Sequence, residues 1–182
     1  MKRILFLLLA ASAAPAWSQT NLPAPKTPES QVEISSDSGH FDGNTRRMIY
    51  LGHVFATDAK STLHCEQLTV DLPAAGGHPT NIVAEAGVVI DKWDEKGQTN
   101  HITADKAVYT YSVVKGVTNE VVTFTGGNPT PKVENQQMII VGEPLVMNLV
   151  TKQFSGQNYK TTFKQTPNAG GDTNASPLNF LK

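Results

Sequence analysis

Cysteine is almost missing from this chain of 182 residues, in which Cys65 is the only one. A single thiol cannot form a disulfide within the chain, so core packing has to hold the fold together. We interpret Cys65 as a small buried apolar residue of a strand rather than a reactive or metal-binding thiol. Its neighbours His64 and Glu66 would point to the opposite face of that strand, where they could not easily share a metal ion with it.

Charge is also scarce. Charged residues make up 17% of the chain and the formal net charge is −1, whereas soluble domains typically carry about 25% charged residues. Without a basic excess, a general attraction to nucleic acid or to anionic membranes is not expected. The composition is typical of a β protein rich in Thr, Val, Asn and Gly.

Sequence motifs of catalysis and cofactor binding are missing as well. The chain has no Gly-x-Ser-x-Gly elbow, no Gly-rich phosphate loop before a helix and no paired cysteines. Asp37, Ser38 and His40 are the residue types of a catalytic triad, but a triad is a spatial arrangement and a local run is poor evidence for one. Four of the five histidines adjoin Gly or lie in predicted turns and strand ends. We therefore expect no enzyme, no metal site and no cofactor.

Helical spacing of apolar residues is missing from residue 32 onward, whereas short runs of β-forming residues recur between Gly, Pro, Asn and Asp clusters. The pattern predicts an all-β domain. A change in apolar phase between Cys65 and Leu68 predicts a bulge near Glu66 and Gln67. The predicted strands cover residues 32–36, 47–54, 61–72, 81–91, 101–111, 120–125, 136–141, 144–150 and 159–164, with a short piece at 152–156.

The two ends of the chain differ from its middle. Residues 1–18 combine a basic start, an apolar run and small residues suited to cleavage, which predicts a secretory signal peptide. An uncleaved anchor is the alternative, although the apolar run is about half the length needed to span a bilayer. Residues 19–31 are a Pro-rich linker, residues 32–164 the folded domain, and residues 165–182 a tail predicted to be disordered. We expect an exported protein.

Two imperfect copies of one β unit are visible within residues 32–164. Asp37 and Asp105 occupy equivalent positions in the two copies, and we expect both to bond nearby backbone N–H groups rather than to act in catalysis. Two further segments also match, namely 50–52 with 124–126 and 68–72 with 145–149. The aligned pairs are Ile34 with Ile102, Asp37 with Asp105, and Phe41 with Tyr109.

The phrase Ile102-Thr103-Ala104-Asp105-Lys106-Ala107-Val108-Tyr109, followed by a Gly-containing turn and a strand ending in Leu-x-Met-x-Leu, resembles the OstA-like/LptA family of periplasmic lipopolysaccharide-transport proteins. The resemblance covers residues 32–164. It implies a folded-over β-jellyroll whose apolar groove holds the lipid A acyl chains of lipopolysaccharide. It also implies partners among the OstA-like domains of membrane-bound transport components. The residues expected to line the groove are Leu68, Val70, Val108, Phe124, Leu145, Met147 and Leu149.

Open strand edges predict a way to assemble. A sandwich that is not closed into a barrel leaves unpaired backbone groups on its first and last strands. Ile34 and Thr161 lie on these strands, which alternate apolar and polar residues and lack proline. We expect them to support head-to-tail self-association or pairing with related domains.

Three functions remain open at this point. The first is a periplasmic carrier or bridge for lipopolysaccharide, and the second is a structural module that joins partners through its strand edges without carrying lipid. The third is an enzyme or carbohydrate-binding sandwich, which is disfavoured because Trp93 is the only Trp beyond the signal peptide. Two facing apolar sheets can equally enclose a dry core or leave a trough open along one edge.

Overall fold

The computed structural model describes residues 31–95 and 97–164. The predicted signal peptide, the linker up to residue 30 and the tail lie outside the described residues. The described part of the chain is all-β and contains no helix, and so no helix able to cross a membrane. Its twelve strands are β1 (Glu33–Ser35), β2 (Ser38–Asp42), β3 (Arg47–Thr57), β4 (Ser61–Asp71), β5 (Asn81–Trp93), β6 (Thr99–Val114), β7 (Val117–Thr125), β8 (Lys132–Glu134), β9 (Met138–Val141), β10 (Leu145–Asn148), β11 (Gln153–Gly156) and β12 (Lys160–Phe163).

Four long strands, β3 to β6, run through the whole sheet, and every pairing is antiparallel. Shorter strands extend the sheet differently at the two ends of these four. At one end the order is β2-β3-β4-β5-β6-β7-β10-β11, which we call half-sheet A. At the other end the order is β1-β3-β4-β5-β6-β8-β9-β12, which we call half-sheet B.

The long strands bend where the half-sheets meet. Register shifts occur between Leu51 and Val54 in β3, between His64 and Gln67 in β4, and between Glu85 and Val88 in β5. A bulge adds an unpaired residue and increases the local twist, so three neighbouring bulges fold one half-sheet over the other. The left-handed residues that allow this are Gly52, His53, Ala86 and Gly87. The bulge predicted near Glu66 and Gln67 is confirmed.

The inner faces of both half-sheets share one core. Cross-strand partners point to the same face of a sheet, and in half-sheet A a row of partners runs through Leu68, Ala84, Ala107, Phe124 and Leu145. The corresponding row of half-sheet B is Ile34, Ala56, Leu63, Ile90, Ile102, Val133 and Ile140. Members of both rows belong to one cluster of buried side chains.

The pairings confirm the internal repeat. Ile34 pairs with Ala56 as Ile102 pairs with Val133, and Tyr50 pairs with Leu68 as Phe124 pairs with Leu145. Strands β1 to β5 form the first copy and β6 to β12 the second. The copies differ at the bend, because β3, β4 and β5 pass through it unbroken, whereas short connections separate β7 from β8, β9 from β10 and β11 from β12.

Some boundaries differ from those that the sequence predicts. No strand was predicted between residues 36 and 47, but β2 spans Ser38–Asp42. Strand β8 has only three residues and lies between Pro131 and Asn135, so it offers no alternation long enough to detect. The predicted strands 101–111 and 120–125 are longer in the structure, where β6 continues to Val114 and β7 begins at Val117, so the two form one hairpin. It reverses at Lys115 and Gly116, both of which have positive φ.

Candidate functional site

An opening lies between the half-sheets at the end opposite the bend. We call this cleft of about 500 Å³ the mouth. The residues of β5, β6 and β10 that line the mouth lie farther along their strands than the residues that pair next to the bulges. The mouth therefore lies away from the bend. Half-sheet A contributes Met147, Leu149, Lys152 and Phe154, and the opposite wall contributes Lys60, Lys92, Trp93, Asp94, Glu95 and Asn100.

Strand β10 explains why the floor of the mouth is apolar. Its side chains alternate, so that Leu145 and Met147 face inward while Val146 faces outward. Leu145 is completely buried beside Phe124, whereas Met147 is only partly buried and pairs with Val122 and Phe154. Burial therefore decreases along the strand from a closed core at the bend to an apolar surface at the mouth.

The residues predicted to line a groove separate into three groups. Met147 and Leu149 line the mouth. Val108 pairs with Thr123, next to the inward Ala107–Phe124 pair, so the register places Val108 on the outer face, away from the others. The remaining four are buried in the core, and these are Leu68, Val70, Phe124 and Leu145.

Phe154, Lys92 and Lys152 also line the mouth, although none of them was predicted to do so from the sequence. Phe154 comes opposite Met147 because β11 pairs with β10, and the short segment at 152–156 gave no sign of that pairing. The two lysines line the same cleft only because the half-sheets fold over each other. No local pattern in the sequence indicates that residues so far apart share a cleft.

Ile34 and Thr161 lie on sheet edges, as expected from the sequence. Among the described strands, β1 with Ile34 pairs only with β3, and β12 with Thr161 pairs only with β9. Strands β2 and β11 form the corresponding edges of half-sheet A. Among the described strands, each half-sheet therefore has one edge from the first copy of the repeat and one from the second.

The side chain of Asp37, at the bend, was predicted to accept hydrogen bonds from backbone N–H groups, but it accepts none among the described residues. Its carboxylate instead accepts a hydrogen bond from Nδ1 of His53 at 2.7 Å, while its own backbone N–H donates to the carbonyl of Gly52. The hydrogen bond to Asp37, together with the charges of Asp37 and Glu66, raises the pKa of His53. His53 is exposed and has a left-handed backbone, so its position depended on a bulge that the sequence did not predict.

Tyr109 and Glu120 form a polar contact on the inner face of half-sheet A. The Tyr109 hydroxyl donates to Oε1 of Glu120 at 2.9 Å. Burial and the neighbouring Glu120 carboxylate raise the pKa of Tyr109. The Tyr109 hydroxyl therefore stays neutral and adds no charge next to the apolar side chain of Val122.

Cys65 is buried and is not part of the mouth. Its Sγ donates to the carbonyl of Gln67, and burial raises the pKa of the thiol to about 11. Within residues 31–95 and 97–164, no group of three or more His, Cys, Asp or Glu residues could hold a metal ion.

Two half-sheets folded over one core, and open at the end opposite the bend, define a folded-over β-jellyroll. The family model described as "LptA/(LptD N-terminal domain) LPS transport protein" matches residues 33–153, which is more than half of the chain. The chain therefore belongs to this family of lipopolysaccharide-transport proteins.

A solved structure shows the same fold. The chain is similar to LptH from Pseudomonas aeruginosa, described as the LptA homologous periplasmic component of a lipopolysaccharide transport device, with 12% sequence identity and a TM-score of 0.62. The similarity covers 74% of this chain and 96% of LptH. No curated protein matches the chain significantly.

Proposed function

We propose that this protein carries or bridges lipopolysaccharide across the periplasm, from the inner to the outer membrane, and holds acyl chains in the mouth. The observation that carries the proposal is the apolar opening at Met147, Leu149 and Phe154 in a member of a lipopolysaccharide-transport family. Its volume of about 500 Å³ lies within the range of ligand sites. Each methylene group that leaves water and enters the mouth contributes about 0.8 kcal/mol to the free energy of binding.

Neighbouring positions on β10 provide a matched test of lipid contact. A photo-crosslinking residue at Met147, which faces the mouth, is expected to capture lipopolysaccharide in cells. The same residue at Val146, which faces outward on the same strand, is expected to capture little. Equal capture from both positions would contradict binding in the mouth.

Phe124 is less suitable for this test because it is only 1% exposed and belongs to the packed core. Phe124→Asp would bury an unpaired charge and is expected to unfold the protein. A folded Phe124→Asp variant that has lost lipid capture would show instead that lipid reaches as far as the core.

Export is the part of the proposal that concerns residues 1–18. Cleavage after Ala16 or Ser18 would give a mature protein that begins at Trp17 or Gln19. N-terminal sequencing of protein recovered from the periplasm tests this. An N-terminal Met1, found only in membrane fractions, would indicate an anchored component.

The open strand edges favour a second function, in which the protein joins partners without carrying lipid. Strands β1, β2, β11 and β12 each pair with one neighbour among the described strands, so each can extend its sheet with a strand from outside. The partners would be a second copy of the chain or OstA-like domains at either membrane. Native mass spectrometry of gently extracted protein separates the two functions, because only a carrier is expected to retain a molecule the size of lipid A.

A further inference from the structure

Several basic residues on the outer faces of the sheet are matched with acids. Arg47 pairs with Asp71 across β3 and β4 at 2.6 Å, and Lys106 pairs with Glu85 across β6 and β5 at 2.8 Å. Lys132 and Lys164 both contact Glu134. Pairing with an acid is therefore one way in which this fold accommodates a basic side chain on its sheet.

Lys92 departs from this pattern. It lies on the inner face of half-sheet B, two residues beyond Ile90, and its cross-strand neighbours are Ser61 and Asn100, neither of which is an acid. It is partly buried, and no described carboxylate lies within 4.0 Å of its ammonium group. Lys152, on the facing wall of the mouth, likewise has no ion pair among the described residues.

The acids at the mouth lie in the turn after β5. Oδ1 of Asp94 accepts a hydrogen bond from the Gln98 backbone N–H at 2.9 Å, so that carboxylate supports its own turn. Oε1 of Glu95 reaches Nζ of Lys60 at 3.9 Å, where both side chains are largely exposed. An exposed pair at that distance contributes little. The mouth thus combines an apolar floor with lysines on both walls.

We propose that Lys92 and Lys152, with Lys60 beside them, bind phosphate on the head group of the amphiphile whose acyl chains occupy the mouth. This inference rests on the proposed function and adds the head-group chemistry. Neither Lys92 nor Lys152 has an acidic partner among the described residues, so the ammonium group of each is available to an anionic oxygen of a ligand. Lysine is a compact point charge that suits phosphate oxygens. Met147 and Phe154 provide the adjoining surface for the chains.

Binding of three matched lipids tests the proposal: diphosphoryl lipid A, monophosphoryl lipid A, and the same acylated sugar without phosphate. The wild-type protein is expected to bind the diphosphoryl form best. Lys92→Gln with Lys152→Gln should weaken that binding by roughly fivefold, as expected for two partly exposed charge pairs. Binding of the phosphate-free lipid should stay unchanged. Lys160→Gln is the control, because it removes the same charge from edge strand β12, at the end of the strand near the bend.

The outcomes separate the head-group proposal from the proposed function. If the wild-type protein and the double variant bind all three lipids equally, the proposal that the lysines bind phosphate is wrong, whereas the acyl-chain site is unaffected. Failure of every lipid to bind the wild-type protein would overturn both proposals. Inorganic phosphate should compete only weakly, since it lacks chains. If it binds as tightly as the diphosphoryl lipid, the site is one for free phosphate and the proposal is wrong.

The thermal stability of the lipid-free proteins gives a second readout. Removing an unmatched charge that faces apolar side chains should leave the midpoint of unfolding of Lys92→Gln equal to that of the wild type or higher. A large fall in that midpoint would show that Lys92 stabilises the fold, and it would contradict the proposal that Lys92 serves to bind a ligand.

Discussion

Asp105 lies directly against Gly126, which follows the neighbouring strand β7, so closely that a Cβ atom at Gly126 would overlap the aspartate side chain. Gly52 is placed in the same way against Asp37 in the first copy of the repeat. Each copy therefore uses an Asp–Gly contact where its first strand crosses the bend. This contact gives a structural reason for the two residue types that recur in the sequence.

Substitution of Gly126 should be costly because its φ of 129° is unfavourable for any side chain and space is lacking. We expect Gly126→Ala to lower the free energy of unfolding by about 3 kcal/mol. Gly87→Ala, with φ of 67° but open space, should lose about 1 kcal/mol. Gly127→Ala meets neither problem and serves as the control. Equal urea midpoints for all three variants would contradict this account.

Cys65 should be unreactive in the folded protein. Its pKa of about 11 leaves almost no thiolate at pH 8, and its side chain is buried. Iodoacetamide is expected to modify it only after unfolding in urea, as read by mass spectrometry. Rapid modification of the native protein would show that the bend opens readily around this residue.

Glu134 should make stability depend on acid. Hydrogen bonds from Lys164 and Lys132 lower its pKa to about 2, whereas an unfolded Glu has a pKa of about 4.3. Because the folded pKa is the lower one, the stabilisation is complete above about pH 5 and is lost as the pH falls towards 2. Glu134→Gln should therefore lose less stability than the wild type between pH 5 and 2. Parallel curves of melting temperature against pH would contradict this.

Assembly through β12 can be tested by two proline variants. Adjacent residues of a strand point their N–H groups to opposite sides. Of the two single variants Thr161→Pro and Thr162→Pro, one therefore loses a donor on the outer edge and the other loses a donor that pairs with β9. If head-to-tail association occurs, the variant that loses the outer donor should stay monomeric in sedimentation velocity. Thr161→Val keeps the N–H and should associate like the wild type.

Much of the fold could be predicted from local patterns. The alternation in β4 and β10 correctly indicated one apolar face, and the phase change near Glu66 correctly indicated a bulge. The equivalence of segments 68–72 and 145–149 is confirmed by their pairing with Tyr50 and Phe124. These features depend on neighbouring residues, which is why a single sequence contains them.

What could not be predicted depends on register and on folding at a distance. Val108 was predicted to line the groove together with Phe124, but pairing of Ala107 with Phe124 turns Val108 outward. The partner of Asp37 is a histidine that lies within an unpredicted bulge. The walls of the mouth come from strands joined only by the bend, so their lysines carried no local signal.

The uninterrupted course of β3 to β6 across the bend has a consequence for motion. Opening the part formed by β3 to β6 requires bending strands whose ladders continue on both sides, whereas β7 to β12 of the second copy cross the bend through short connections. The lip formed by β10 and β11 can therefore swing while ladder hydrogen bonds within each half-sheet stay intact. In amide hydrogen exchange, β4 and β5 should protect their protons longest and β11 should exchange early. The four long strands are therefore expected to be rigid, whereas β10 and β11, which carry Met147 and Phe154, are expected to move.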